Sequence, residues 1–403
     1  MLGAIYIGLS GMDAYEKGLQ TISNNVANLN TAGFKSTSVS FNDLFSYGGG
    51  GSSLSNSSAG NPAGSGVTFG NPLTDFSQGD LRASDNDLDL AIQGGGFLVL
   101  LDGDKTYYAR TGQFVVDKDG YISEQGTGYQ LAVLDADGRP SAVQLDSKRT
   151  NPPKPTTTVA FSGNLAKGTD ASVSDIAVYD DAGTKHVWTV KLTRDTTAGV
   201  IDTWNVSVTD DKGLSVVSNA GPLTQLKVTG SVIDPTTSKF VFTSQPSGAS
   251  ALNVTIDFSS NVSVFASTES TLSAKPDGNA VGSLAAASPV TIDDDGHIKL
   301  NYTNGEFDTL GAVAIADFRD PQQLERIGNG LFKNLGAGAP RLLGSGIDGI
   351  GTLQSKKQEA SNVDLSQEFG QLILIQRGFQ ASSQVVSVSN DMIQQLFGIR
   401  GQG

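Results

Sequence analysis

The stretch ISNNVANLNTAGF, residues 22–34, sets the tightest limit on what this chain can fold into. Ile22, Val26 and Leu29 recur at helical spacing, yet no charged residue occurs from Gly18 to Phe34. A helix whose outer face meets water normally dresses it with Lys and Glu. The heptad extends back to the start: Leu2, Ile5, Leu9, Met12, Leu19 and Val26 fall on a and d positions, with Glu16 and Ser23 as polar exceptions. The pattern predicts a helix that stops at Gly33, a residue type suited to the position just past a helix end. Gly3, Gly8, Gly11 and Gly18 weaken it by about 1 kcal/mol each relative to Ala, and let neighbouring backbones approach closely.

The other end repeats the design. Asp364 can cap a helix with Gln367 three residues on. Leu365, Leu372, Phe379, Val386 and Ile393 then hold every d position. Phe369 and Phe397 hold the ends of the a row, and Gln376, Ser383 and Asn390 fill its middle. Charge is again missing from Gly378 to Asn390. Uncharged Asn, Ser, Thr and Gln can be buried if hydrogen-bonded, at far smaller cost than Lys or Glu. The expectation is that both terminal helices are covered by other subunits and are poorly ordered in the monomer. The competing reading packs the pair on the chain's own β domain.

Between the helices the pattern is β. LDLAIQGGGFLVLL, TYYARTGQFVVDKDGYI and YQLAVLDADGR are short apolar runs joined by Gly and Asp-Gly turns. NPPKPTTT (151–158) and AKPDGNAVG (274–282) bracket a second block. Within it, Trp204, Val206 and Val208 share one face, as do Leu252, Val254, Ile256 and Phe258. The order helix, β, β, β, helix predicts a multidomain α+β chain: a terminal α-helical coiled coil plus two mainly-β domains nested by insertion. The Gly/Ser-rich part of FKSTSVSFNDLFSYGGGGSSLSNSSAGNPAGSG should be an irregular loop.

Chemistry is sparse. The chain has 27 basic and 41 acidic residues, a formal charge of −14, which argues against nucleic acid and anionic membranes. It contains no cysteine, hence no disulfide or thiol chemistry. His186 and His297 lie far apart in β or turn contexts, without metal-ligand spacing. GSGIDG (344–349) matches a dinucleotide fingerprint in letters only, since no convincing helix start follows. VDKDGYI, LDADGR and IDDDGHI could suggest calcium, but flanking β runs make them hairpin turns. No catalytic, cofactor or metal site is expected. No basic and apolar leader opens the chain, and no apolar run approaches the ~18 residues of a membrane span. The chain is expected to stay in the cytoplasm or to leave by a route that cleaves nothing.

Several long motifs resemble one family. GLSGM, LQTISNNVANLNTAGFKS and FNDLF are similar to the N-terminal signature of bacterial flagellar rod and hook proteins. DFSQGDLRASDNDLDLAIQGGGFLVL and YYARTGQFVVDKDGYI resemble their next shared block, and SNVDLSQEFGQLILIQRGFQASSQVVSVSNDMIQQL their C-terminal helix. FSGNL, IAVYDDAGTKHVWTVKLTR and residues 292–332 are similar to hook members of the family. QSKKQEASNVDL departs from the Gly-x-Leu-Glu pattern common before SNVDL, through Lys356 and Lys357.

The resemblance implies a layered structural protein. Residues 1–30 with 364–403 would form an inner helical coiled-coil polymerisation domain, and 31–70 with 351–363 an irregular connector. Residues 71–145 with 286–350 would build one β-rich domain, and 146–285 an outer, inserted one. The implied seam between subunits is Ile5, Leu9, Met12, Leu19, Val26, Leu365, Leu372, Phe379, Val386 and Ile393. Implied partners are further copies, a hook cap protein, the distal rod protein, the hook–filament junction protein and the flagellar type III export apparatus. The implied location is the extracellular flagellum, reached without signal cleavage, with no membrane insertion. Another rod-type axial protein is the nearest alternative; from a different class, a calcium-binding β-rich surface adhesin is the other.

Overall fold

The helix at the start of the chain, α1 (Leu2–Ala27), ends six residues before Gly33. Asparagines stop it: Asn28 Nδ2 donates to the Asn24 carbonyl at 2.9 Å, and Thr31 Oγ1 donates to Asn28 Oδ1 at 3.1 Å. Such local bonds offer the backbone an alternative to further helix. Gly33 takes its left-handed φ of 67° beyond a short turn, where its N–H donates to the Glu359 carbonyl at 2.8 Å. The second helix, α2 (Leu365–Arg400), begins where the sequence places its cap: Asp364 Oδ1 accepts from Ser366 N at 2.8 Å and Gln367 N at 3.4 Å.

This computed structural model describes residues 2–44, 66–197, 202–219, 224–245, 250–336 and 338–400. Residues 45–65, most of the Gly/Ser-rich stretch expected as a loop, lie outside the described residues. The chain is mostly β with a helix at each end, divided into two units. The first holds residues 1–146, 290–299 and 309–403; the second holds 147–289 and 300–308. The expected partition kept 286–350 in one piece, whereas residues 286–289 and 300–308 belong to the second unit. There, Tyr302 Oη donates to the Lys148 carbonyl at 2.9 Å and Lys148 Nζ pairs with Asp308 at 2.8 Å.

The first unit is built on one large, mainly antiparallel sheet. Phe97–Asp102 pairs with Lys105–Ala109 through a tight turn, and Thr111–Val116 lies between Asp89–Gln93 and Ile122–Glu124. Phe97, Tyr108, Phe318 and Phe332 cluster with Val99 in its core, with Phe97 and Phe332 ring centroids 5.7 Å apart. The segments expected as an irregular connector are partly strands. Thr352–Ser355 pairs with Asp89–Gln93, and Lys357–Glu359 with Leu81–Ala83. Between them Lys356 adopts φ 55° and extends to Asp87 at 2.7 Å. Thr37–Ser38 pairs with Leu73–Thr74, and Phe41–Asp43 with Val67–Phe69. Their backbone groups find ladder partners although their composition reads as loop.

The second unit has two principal sheets closing on one apolar core. Thr158–Ala166 runs parallel to Leu252–Asp257 and Val262–Phe265, while Lys185–Arg194 and Thr203–Thr209 pair antiparallel in the other sheet. Trp188 and Trp204 fill the centre with Phe161, Phe242 and Phe258. The indole N–H of Trp204 donates to the Thr169 carbonyl at 2.8 Å, so burying the ring strands no donor.

The Asp-rich motifs are turns that use their own carboxylates. Asp117 accepts from Asp119 N and Tyr121 N, each at 2.9 Å, and from Ser123 Oγ at 2.6 Å, while Gly120 supplies the left-handed residue. The Ser123 hydroxyl is the largest influence holding the Asp117 carboxyl below its ordinary value. Asp135, Asp180, Asp210 and Asp293 close their turns in the same way. His186 Nε2 lies 3.1 Å from Asp180 Oδ2, and His297 Nδ1 3.7 Å from Asp293 Oδ1. GSGIDG is a tight turn leading into the strand Thr352–Ser355.

Candidate subunit-interface surface

The two helices pack against each other antiparallel, and small residues make the contact. A Cβ added at Gly8 would meet Val386 Cγ2 at 2.7 Å, one at Gly11 Ser382 Oγ at 2.6 Å, and one at Gly18 Ile375 Cδ1 at 2.8 Å. From the other side, a Cβ at Gly378 would meet the Tyr15 ring at 2.4 Å. Gly8, Gly11, Ala14, Gly18, Ile22 and Asn25 are the buried residues of α1. They recur every three or four positions, so they share one face. The glycines that weaken the isolated helix let the two backbones close together.

The expected seam flanks this contact. Ile5, Met12, Val26, Leu365, Leu372, Val386 and Ile393 are half-buried, whereas Leu9, Leu19 and Phe379 are exposed. Val386 reaches into the contact at Gly8; Leu19 and Phe379 line a common groove of about 480 Å³ with Tyr15 and Ile375. Large apolar side chains outside the seam are also left in water: Tyr6 is 61% exposed, Leu374 70% and Phe397 69%. A monomeric protein rarely leaves so many together.

Polar side chains lock the foot of the helix pair. The Asn25 amide pairs with Thr37 like a strand neighbour, accepting from its N–H at 3.0 Å and donating to its carbonyl at 2.8 Å. Its second N–H donates to Glu368 Oε1 at 2.9 Å. One side chain thus joins α1, the segment after it and the first turn of α2. Glu368 Oε2 is buried without a hydrogen-bond partner among the described residues. Burial pushes the Glu368 carboxyl above its ordinary value; the Asn25 bond opposes this and Asp364 adds to it.

Below lies a buried ionic cluster. Lys35 and Glu359 side chains are fully buried and Arg110 nearly so. Lys35 Nζ lies 2.6 Å from Glu359 Oε1 and donates to the Ser77 carbonyl at 2.6 Å. Arg110 Nε donates to Glu359 Oε2 at 3.1 Å, and its other nitrogens donate to the carbonyls of Ile92, Gly94 and Gly96. Gly79 N–H also donates to Glu359, at 2.9 Å. Burial lowers the Lys35 pKa from its ordinary value, against the opposing pull of Glu359. Arg326 lies over the Phe34 ring, 4.5 Å from its centroid, and donates to the Lys35 carbonyl. Asn362 finishes the joint, accepting from Ser36 N at 2.7 Å and donating to the Asp75 carbonyl at 2.8 Å. The FKS and SNVDL motifs, at opposite ends of the chain, therefore meet at the roots of both helices. The sequence reading missed this cluster; its one visible trace is that Lys35 is the first charge after the long uncharged run.

Comparison with known proteins gives a consistent picture. Residues 5–35 match the family described as "Flagella basal body rod protein", residues 91–164 "Flagellar hook protein FlgE/F/G D1 domain", and residues 354–399 "Flagellar basal body rod FlgEFG protein C-terminal". The chain is 27% identical to the flagellar hook protein FlgE of Escherichia coli, over 97% of this chain and 98% of that protein. It is 28% identical to that of Treponema pallidum, over 99% and 100%, and 28% identical to that of Salmonella typhimurium, over 97% and 98%. A crystal structure of the Helicobacter pylori hook protein FlgE2 overlaps 69% of this chain and all of that one, with a TM-score of 0.44 and 16% identity.

Proposed function

We propose that this chain, which belongs to the flagellar rod and hook protein family and is a flagellar hook subunit, polymerises into a curved, flexible tube that passes torque from rod to filament through a bend. The observation that carries the reading is the apolar surface that α1 and α2 leave in water, including Tyr6, Leu374 and Phe397. A helical, head-to-tail contact that does not close on itself generates an open tube. The helices serve as an inner coiled coil, with the two mainly-β domains nested by insertion between them in the chain, and hold subunits together along the seam from Ile5 to Ile393. The β-rich outer units slide across their neighbours, shortening the inside of the bend and lengthening the outside as the tube turns. The role is mechanical, without an active site.

The resemblance supports a hook cap protein, the distal rod protein, the hook–filament junction protein and the type III export apparatus as partners, and export without cleavage to an extracellular site. Electron microscopy of concentrated, salted-out protein tests the reading. Intact chains should form tubes; chains lacking residues 1–30 and 364–403 should keep their sheet signal in circular dichroism and form none. Compact particles from the intact chain at every salt concentration would end the tube reading.

A further inference from the structure

Charge on the two helices is scarce enough that each charged group can be accounted for. On α1, Asp13 and Lys17 pair with each other at 2.8 Å. Glu16 is exposed and has only a 3.5 Å contact from Gln20 of its own helix. On α2, Glu368 is buried against Asn25. Arg377 is the only basic residue from Leu365 to Ile399; it is exposed, with no ion pair or hydrogen bond among the described residues. Asp391 on α2 is exposed as well. Among the open groups, Glu16 on α1 and Arg377 on α2 are the oppositely charged two on different helices.

Their placement is matched. Gly18 and Ile375 touch across the helix pair. Glu16 is two residues before Gly18, and Arg377 two residues after Ile375. Two residues turn a helix by about 200°, which carries Arg377 away from the contact line and sets Glu16 at the outer rim of the groove it lines with Leu19 and Phe379. They also move along the axis by about 3 Å. Because the helices are antiparallel, both shifts run the same way, and Glu16 and Arg377 stand at the same height on opposite outer faces. Exposed apolar residues border both: Leu19, one turn from Glu16 and in the same groove, and Ile373 and Leu374, one turn from Arg377.

We propose that Glu16 of one copy pairs with Arg377 of the next, in a lateral head-to-tail contact that lays the outer face of α1 against the outer face of α2. The proposal rests on the polymer reading above and names the contact within it. Each pair repeats its own polarity, so a row of such pairs extends without reversing and with little axial step. The occupant is a second copy because Glu16 and Arg377 are opposite in sign, level along the axis and each bordered by exposed apolar residues of this chain. The pair is partly desolvated once Leu19 and Leu374 close around it, where reversing one charge sets like charges together.

The test is charge reversal in the full-length chain. E16R and R377E, both at exposed helix positions, should fold with unchanged circular dichroism. Each single reversal should raise the critical concentration for salt-induced tube formation by about tenfold or more. The double variant E16R/R377E should return it to within about threefold of the wild type. Single variants that assemble like the wild type, or a double variant no better than the singles, overturn the contact while leaving the tube reading intact. A wild-type chain that forms no tubes removes both.

Discussion

Replacing Glu359 by Gln would strand two buried cations with one change. The Glu359 carboxylate faces Lys35 at 2.6 Å and Arg110 at 3.1 Å, with all three side chains out of solvent. A Gln amide keeps the shape and can still accept from Gly79 or Arg110, but it carries no charge. Removing one partner of a buried ion pair typically costs about 3–5 kcal/mol, because the remaining charge stays buried without compensation. For a unit of this size each kcal/mol moves Tm by about 2–4 °C, so the melting of the first unit should fall by roughly 6–20 °C. Differential scanning calorimetry reads it, with the second unit as internal reference. Adding Lys35→Met to E359Q removes the stranded ammonium and should recover much of the loss. The pH dependence has a definite sign. Lys35 is held below its ordinary 10.5 chiefly by burial, and Glu359 opposes that lowering. Without the carboxylate the folded-state value falls further. The ammonium then penalises the fold at pH below that value and is lost as pH rises through it, so the E359Q deficit should narrow on the alkaline side. An E359Q chain melting within about 1 kcal/mol of the wild type, with no gain from Lys35→Met, would refute the cluster as the joint at the helix roots.

Glu368 tests the helix contact from the other direction. Its folded-state pKa is raised, chiefly by burial, so its contribution is fully present below the unfolded-state value and is lost as pH rises through the folded one. Helix melting followed at 222 nm should therefore be stronger in mild acid than at neutral pH, and E368Q should flatten that dependence. Gly378→Ala places a methyl group against the Tyr15 ring. Despite gaining about 1 kcal/mol of helix propensity, the helix contact should lose about 1–3 kcal/mol from overpacking, read as faster amide exchange in α1.

Period and composition made the helices and the second unit's core legible. Trp204, Val206 and Val208 do share a buried face, and Asp364 does cap α2. The close approach expected at the glycines is found at Gly8, Gly11 and Gly18 but not at Gly3; which helix they face was not legible, because a heptad reading weights large side chains. The resemblance implied an irregular connector over 351–363, and Gln, Ser and Lys in residues 352–359 carry little strand signal to oppose it; their pairing is dictated by the strands beside them. The ionic cluster was invisible for a different reason. Lys35 and Glu359 are 324 positions apart, and Arg110 and Glu359 are 249 apart. Taken singly, each reads as a surface charge.

That separation has a consequence for the order of folding. The helix contact joins segments far apart in the chain: Asn25 and Glu368 are 343 positions apart. Closing a flexible loop of that length costs roughly 5 kcal/mol in chain entropy, and a glycine-bearing helix the length of α1 is marginal alone. Once the sheet and the Lys35–Glu359–Arg110 cluster have formed, the helix roots are already neighbours and only a short closure remains. The body of the first unit should therefore form early and the helix pair late, with the apolar faces of both helices unpaired until the sheet has closed.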